Sequence, residues 1–207
     1  MTIGKMELLE AIAPVNRGLL ASESDKQAIL AAIARVEERN PTSQPLEATE
    51  LLDGNWLLLY TTSRDLLGID RFPLAKLGAI YQCIRTQRSK LYNIAEVETL
   101  PFLEGLVSVT ARFEPSSQRR VNVFFQRSII GLQRAIGYTQ PNDLIRQIEQ
   151  GKSLAAIDIS LSQNNDNSTS QPSRNRQGWL EVTYLDEDLR IGRGNEGSVF
   201  VLKKVPS

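Results

Sequence analysis

The stretch GLVSVTARF at residues 105–113 alternates apolar and polar side chains more clearly than the rest of the sequence. In an extended chain, one set would share a face and the other set the opposite face: Val107, Val109, Ala111 and Phe113 against Ser108, Thr110 and Arg112. Because successive side chains of a strand point to opposite sides, this period of two predicts a β-strand with one buried face.

Short segments of the same kind follow one another from residue 51 to the end of the chain. The predicted strands cover 56–62, 80–87, 91–98, 105–113, 121–130, 156–162, 179–185, 189–193 and 198–204. Consecutive hairpins of this length predict a mainly β (α+β) fold, an antiparallel up-and-down β-barrel. A barrel of about eight strands has room for one small ligand.

The first 40 residues have helical spacing instead. The apolar positions that repeat at this spacing are Met6, Leu9 and Ile12, and then Ile29, Leu30, Ile33 and Val36. We therefore predict two helices in an N-terminal segment over residues 1–45, followed by the barrel domain over 46–207. Within that domain, residues 163–177 lack large apolar side chains and are predicted to form a flexible loop.

The composition excludes several classes of protein. The 207 residues include 24 Lys and Arg, 24 Asp and Glu, and no His. A balanced charge disfavours nucleic-acid binding, and the lack of His excludes Ser-His-Asp and Cys-His hydrolases. The single cysteine, Cys83, cannot form an internal disulfide, and no apolar run is long enough to span a membrane. We predict a non-enzymatic protein with neither catalytic residues nor metal ligands.

The segment Gly54-Asn55-Trp56 opens the first predicted strand. A similar Gly-x-Trp arrangement opens lipocalin barrels, where an arginine from a late strand covers the indole. The sequence offers Arg190 and Arg193 for such a cation–π contact. We predict that Gly54, Trp56 and Arg190 close one end of the barrel.

A ligand pocket needs apolar walls and a few polar anchors. From the alternation, the candidate walls are Tyr60, Val107, Val109, Phe113, Phe124 and Tyr184. The candidate anchors for an anionic head group are Arg85, Arg127 and Arg193. Each aromatic residue could instead be ordinary core, and any of these side chains could point outward.

The stretch 64–78 combines large apolar side chains with Gly and Pro residues that interrupt regular structure. We predict that Leu66, Leu67 and Phe72 contact a membrane surface. Two alternatives are a lid over the barrel and a loop that packs on the N-terminal helices.

Two polar motifs near the C-terminus predict turns. The adjacent carboxylates of Asp186-Glu187-Asp188 cannot all face one ion, because strand side chains alternate. They predict a solvated turn in which Asp186 or Asp188 can bind a backbone amide. The run GRGNEG at 192–197 lacks the lysine and following helix of a phosphate loop and predicts a hairpin turn.

Two segments together resemble one protein family. The stretch TYLDEDLRIGRGNEGSVF at 183–200 resembles the C-terminal signature of the plastid lipid-associated protein/fibrillin (PAP/fibrillin, plastoglobulin) family. The segments LDGNW at 52–56 and LYTTS at 59–63 resemble the opening motif of the same domain. The resemblance covers about residues 5–204 and is specific at its two ends.

The resemblance implies a lipocalin-like barrel that binds a lipid or isoprenoid, such as a carotenoid, a quinone or a membrane lipid, without an obligatory cofactor. It further implies peripheral association with thylakoid membranes or lipid globules, and a role in photoprotection and membrane organisation. Because no transit peptide precedes the helices, we expect a cyanobacterial protein on the cytoplasmic side of the thylakoid. For a processed plant form, we expect a chloroplast location.

Two other functions stay open at this point. A bilin chaperone or lyase for phycobiliproteins would hold the bilin propionates with arginines on the inner strands, and Asp186 or Asp188 would donate a proton. A ligand-free scaffold would bind a protein partner through the N-terminal helices, and an interior filled by side chains would favour it.

Overall fold

The structure is a computed structural model that describes residues 3–63, 76–99, 101–161 and 177–206. The helices in these ranges are α1 (Ile3–Ile12), α2 (Glu23–Glu37), α3 (Thr49–Leu52), α4 (Gln133–Ile136) and α5 (Pro141–Glu149). The strands are β1 (Gly54–Thr61), β2 (Lys76–Arg85), β3 (Lys90–Glu98), β4 (Gly105–Pro115), β5 (Arg120–Leu132), β6 (Ala156–Ser160), β7 (Gln177–Leu185), β8 (Leu189–Gly194) and β9 (Val199–Val205). Single 3₁₀ turns occupy Ala13–Val15, Thr86–Arg88 and Asn195–Gly197.

The strands form a closed antiparallel barrel. Their order is β4-β3-β2-β1-β9-β8-β7-β5-β6, and a further pairing of β4 with β5 closes the sheet on itself. Eight strands make the barrel, while β6 pairs with the second half of β5. Residues 120–124 of β5 pair with β7, and residues 127–131 pair with β6. The predicted barrel with N-terminal helices is confirmed.

The two ends of the barrel differ. The base is the end where β1 begins, and it carries the hairpins at 86–89, 116–119 and 186–188. The mouth is the end where β1 ends, β2 begins and β8 passes into β9. Trp56 therefore lies near the base, and Ile130, near the end of β5, lies near the mouth.

Apolar side chains from β1 to β5, β7 and β9 pack together in the interior. The buried members on these strands are Trp56, Leu58, Leu77, Ile80, Ile84, Leu91, Ala95, Ala111, Val121, Val123, Val182, Leu185 and Leu202. Burial of a large apolar side chain contributes about 1.5–3 kcal/mol, so this cluster is a main source of stability.

Helices cover the barrel on two outer faces. A second cluster joins α1 and α2 to the outside of β1, β7, β8 and β9, and it contains Leu8, Ile12, Ile29, Ile33, Leu189, Ile191, Val199 and Val201 among others. A third cluster joins α5 to the outside of β2, β3, β4 and β5. Cys83 lies in this third cluster, where burial raises the pKa of its thiol to about 12 and keeps it a neutral, apolar packing group.

Candidate functional site: a buried arginine inside the barrel

The base of the barrel holds a tryptophan beside two cations. Trp56 is fully buried, and its Nε1 donates a hydrogen bond of 2.9 Å to the Leu52 carbonyl at the end of α3. The guanidinium carbon of Arg190 lies 5.0 Å from the centroid of the Trp56 ring, and the ammonium of Lys204 lies 5.3 Å from it. Gly54 has a φ of 129°, and a Cβ there would stand 3.0 Å from the Lys204 Cε. The structure thus brings together the three residues that the sequence assigned to this end.

Arg190 is a buried cation with one hydrogen-bonded acceptor among the described residues. Its Nη2 donates to Oε1 of Gln82 at 2.5 Å, and Gln82 Nε2 donates to Oδ1 of Asn93 at 3.0 Å. The Nε and Nη1 atoms of Arg190 are buried and find no acceptor in the described part of the chain. Burial lowers the pKa of the guanidinium below its usual range. The charge is therefore poorly compensated.

Gln82 and Asn93 are site residues that sequence analysis missed. They are paired directly across β2 and β3, and Gln82 is also paired with Trp56 across β1 and β2. Both belong to the strand faces that point into the barrel. Ile80 and Ile84, two positions before and after Gln82, are members of the interior cluster. The available signal was a polar residue in the middle of an otherwise apolar strand face.

The predicted pocket walls divide between the inside and the outside of the barrel. Phe113 packs partly buried against the interior cluster, as the alternation of β4 predicts. Phe124 lies between Val123 and Phe125, which both belong to that cluster, so it faces the other way. There its ring lies 4.8 Å from the guanidinium carbon of Arg112. The structure does not place Phe124 in the interior.

Tyr60 and Tyr184 also lie outside the interior, for a shared reason. The pairing register shifts between Leu58 and Tyr60 in β1, and between Val182 and Tyr184 in β7. A bulge changes which face the following residues point to. Both tyrosines therefore pack in the cluster between the barrel and α1 and α2. In that cluster the Tyr184 hydroxyl donates to Asp186 at 2.6 Å.

Arg85 lies on the outside of the barrel near α5. Its Nη2 donates to the side-chain oxygens of Asn55 at 2.9 Å and Asn142 at 2.8 Å. It borders two adjoining surface clefts of about 500 and 340 Å³, both of which also contact Asp53 and Glu149. These clefts carry charges of both signs, and none of the buried residues of the interior cluster lines them.

The other two predicted anchors are occupied by carboxylates. Arg193 forms a bidentate pair with Glu37 of α2, at 3.0 and 2.7 Å, which raises the pKa of the guanidinium. Arg127 pairs with Asp158 of β6, which likewise raises its pKa. These arginines tie α2 and β6 to the barrel, and the structure does not bring them together with Arg85.

The mouth presents exposed apolar side chains from β5, β6 and the β3–β4 connection. Ile130 is paired with Ile157 across β5 and β6, and Ser128 is paired with Ile159. The exposed fractions are 41% for Ile130, 41% for Leu132, 64% for Ile157, 45% for Ile159, 71% for Phe102 and 50% for Leu103. We call these six residues the apolar rim. The predicted membrane residues Leu66, Leu67 and Phe72 lie outside the described residues, as do residues 163–176 of the predicted loop.

Other kinds of site find little support in the described ranges. No group of three or more acidic or cysteine side chains is placed there to hold a metal ion. None of the helices in those ranges is long and apolar enough to cross a membrane.

A closed eight-stranded barrel with a Trp–Arg contact at its base and helices packed outside defines the class as a lipocalin-like barrel. Within that class, the sequence profile of the PAP_fibrillin family matches residues 2–203, and the chain belongs to this family. The predicted family is therefore confirmed.

Named relatives agree with this assignment. The chain is 33% identical over 97% of its length to the light-induced chloroplastic protein of Solanum tuberosum, and 33% identical over 97% to the chromoplast-specific carotenoid-associated protein of Cucumis sativus. It is 32% identical, over 97%, to the probable plastid-lipid-associated protein 2 of Arabidopsis thaliana. It covers 66%, 67% and 70% of these three proteins, so it spans about two thirds of their length. No solved structure matches the chain.

Proposed function

We propose that this protein is a non-enzymatic, lipid-associated structural protein that binds a lipid or isoprenoid and contacts lipid surfaces through the apolar rim. Membership of the PAP_fibrillin family and relatives named for plastid lipids and carotenoids support the lipid association. We further propose that it acts at a thylakoid membrane or lipid globule, in a cyanobacterium or a plastid. There it would contribute to membrane organisation and photoprotection.

The observation that carries the proposal is the concentration of exposed apolar side chains at the mouth. Six of the eight exposed large apolar residues in the described ranges belong to the rim. A patch of this kind at one end of a domain marks an interaction surface. Transfer of such half-exposed side chains into lipid is worth about 1 kcal/mol each, which gives reversible, peripheral binding.

A basic residue borders the rim. The guanidinium carbon of Arg134 lies 5.7 Å from the centroid of the Phe102 ring, and Arg134 is itself exposed. An aromatic ring next to an exposed cation suits the boundary between acyl chains and anionic head groups. This favours a lipid surface over an aqueous protein partner for the rim.

The test is flotation with vesicles of phosphatidylcholine and phosphatidylglycerol. The variant Ile157→Asp with Ile159→Asp should lower the partition coefficient by a factor of at least about 30, because two apolar contacts are lost and two charges must approach lipid. Met6→Asp is the matched control, since Met6 is 50% exposed but lies on α1, beside Lys5, which pairs with the hairpin at the base. Equal flotation of the double variant and the unmodified protein would contradict the proposal.

The bilin alternative has less support, because its three candidate arginines form other contacts. Arg85, Arg127 and Arg193 lie outside the interior and are held by Asn55, Asp158 and Glu37, respectively. The protein-partner alternative remains a prediction for the N-terminal helices, where Met6 on α1 and Leu20 in the turn before α2 are exposed.

A further inference from the structure

We infer that the barrel interior binds a long-chain carboxylate, acyl or isoprenoid, with its head group on Arg190 and its tail directed to the mouth. This inference rests on the proposed lipid association and names the ligand's chemical class. Sequence analysis gave Arg190 only a closing role, with the head-group anchors placed elsewhere.

The first argument is the missing acceptor. A guanidinium carries five N–H donors, and buried donors in folded proteins are nearly always hydrogen-bonded. The Nε and Nη1 of Arg190 have no acceptor in the described ranges, although the residue is 1% exposed. The face of Trp56 stabilises the charge but offers no oxygen acceptor to these atoms.

The second argument is the missing negative charge. None of the ion pairs formed by the described residues includes Arg190. The neighbouring cation, Lys204, donates to the carbonyls of Glu50 and Leu51 and adds further positive charge beside Trp56. A buried water would satisfy a donor but leave the charge, whereas a carboxylate satisfies both and forms the stronger, charge-assisted hydrogen bond.

The third argument is a path from Arg190 to the mouth. Gln82 is paired with Asn93, Asn93 with Val109, and Val109 with Ser128, so these inward residues form one level of the barrel. All four are only half-buried, so solvent reaches this level. The next level towards the mouth pairs Val107 with Ile130 of the rim.

The length and chemistry of this path suit an amphiphile. From Val109 to the mouth end of β4 at Gly105 is four residues, or about 13 Å of extended strand. A long acyl or isoprenoid chain would cross this distance and emerge among apolar side chains. The polar pair Gln82 and Asn93 stands beside the head-group end, where a carboxylate oxygen could also accept from an amide.

The test uses the fluorescence of Trp56 as a reporter, because it contacts Arg190. The chain has two tryptophans, so Trp179, which stacks on Arg120 at the surface, is replaced by Phe in all samples. Oleate should bind saturably with one site per chain. Arg190→Gln should weaken oleate binding at least about tenfold, while the neutral analogue oleyl alcohol should bind both proteins equally.

A second measurement guards against misfolding of the variant. Oleate labelled with ¹³C at the carboxyl carbon is bound to the protein with Arg190 intact, and its resonance is followed as the pH is lowered. The bound carboxylate should stay ionised at pH values where free oleate is protonated, because the guanidinium favours the charged form. Geranylgeranoic acid in the same assay distinguishes an isoprenoid tail from an acyl tail.

Two results would overturn the inference. One is the absence of saturable binding of either acid, which would leave buried water as the acceptor. The other is a carboxylate that binds equally well without Arg190 and titrates as in free solution. The vesicle flotation experiment is independent of these two results, since Arg190→Gln leaves the apolar rim intact. If flotation did not depend on the rim residues, only the proposal for the apolar rim would be refuted.

Discussion

Asp186 fastens α1 to the β7–β8 hairpin, and its removal should cost a large part of the folding free energy. Its Oδ1 accepts from the backbone amides of Asp188 at 2.8 Å and Leu189 at 2.7 Å. Its Oδ2 accepts from Lys5 Nζ at 2.7 Å and the Tyr184 hydroxyl at 2.6 Å. The Lys5 side chain is 6% exposed and that of Asp186 is 21% exposed. The pair is therefore largely shielded from water.

The magnitude for Asp186→Asn follows from these contacts. Breaking a buried ion pair by removing one partner costs about 3–5 kcal/mol, because the remaining charge stays buried. Two features reduce this figure: the partial exposure of Asp186, and Asp188, whose carboxylate still lies 3.3 Å from Lys5. An asparagine oxygen also keeps the two amide hydrogen bonds. We expect a loss of about 2–3 kcal/mol in the free energy of unfolding at pH 7.

The assay is urea denaturation of the single variants Asp186→Asn and Lys5→Met, and of the double variant. Because Lys5 and Asp186 form one ion pair, the effects of the two substitutions should be non-additive. The double variant should lose less free energy of unfolding than the sum of the losses of the single variants. Glu187→Gln is the control. Glu187 adjoins Asp186 but is exposed, so loss of its carboxylate should change the free energy of unfolding by less than about 0.5 kcal/mol.

The pH dependence of the same experiment has a definite sign. Burial raises the pKa of Asp186, but the hydrogen bonds from Lys5, Tyr184 and the two amides lower it more, so the folded pKa lies below the usual value. The stabilisation is present above the unfolded pKa of about 3.9 and is lost as the pH falls through the folded pKa. The difference in the free energy of unfolding between the unmodified protein and Asp186→Asn should therefore disappear at acidic pH. A loss below about 0.5 kcal/mol at pH 7, or simple additivity with Lys5→Met, would refute the reasoning.

Two further predictions follow from the backbone and the tyrosines. Gly18→Ala should lower the free energy of unfolding in urea by more than about 2 kcal/mol, because φ is 106° and the new Cβ would stand 2.5 Å from the Thr61 carbonyl oxygen. Gly137→Ala is the control and should cost only about 1 kcal/mol, since φ is 71° but no atom lies within 4 Å of the new Cβ. Equal losses in the two variants would contradict the steric argument. Burial raises the pKa of all five tyrosines, Tyr60, Tyr81, Tyr92, Tyr138 and Tyr184. Tyrosines of the unfolded chain therefore ionise at lower pH than those of the folded chain, and the free energy of unfolding should fall as the pH rises above about 10. Absorbance at 295 nm should show no phenolate forming near pH 10 while circular dichroism reports a folded chain, and a titration midpoint near 10 would contradict the burial of these side chains.

The period of two predicted the barrel and the inward face of β4, because alternation is a local property of the chain. It failed at Tyr60 and Tyr184 for an equally local reason. Each follows a register shift that inserts one residue into the phase, and nothing in the residue types of these strands indicates where the shift occurs. The alternation therefore indicated an interior position for Tyr60, whereas Tyr60 packs against the N-terminal helices.

The predictions for the charged residues were incomplete for a different reason. Arg193 and Asp186 find partners on the N-terminal helices, and Lys5 is 181 residues away from Asp186 in the chain. The structure shows the predicted tie of Asp186 to a backbone amide and leaves Glu187 and Asp188 of the turn exposed, whereas the ion pair of Asp186 with Lys5 of α1 was not predicted. Such contacts depend on how the helices pack on the barrel, which spacing alone does not determine.

Arg190 joins these two observations to the proposed function. It was predicted from its order in the chain and its resemblance to a lipocalin arginine, yet its environment departs from a purely structural contact. Burying a charge without a partner costs free energy that an apolar side chain in the same place would not cost. A cation that serves only to cover Trp56 would therefore gain little from being a cation. A positive base and an apolar mouth give the interior a polarity along its axis, which is the polarity of an amphiphile entering head first. If the mouth rests on a lipid surface, as proposed, that same surface supplies such molecules and receives them back.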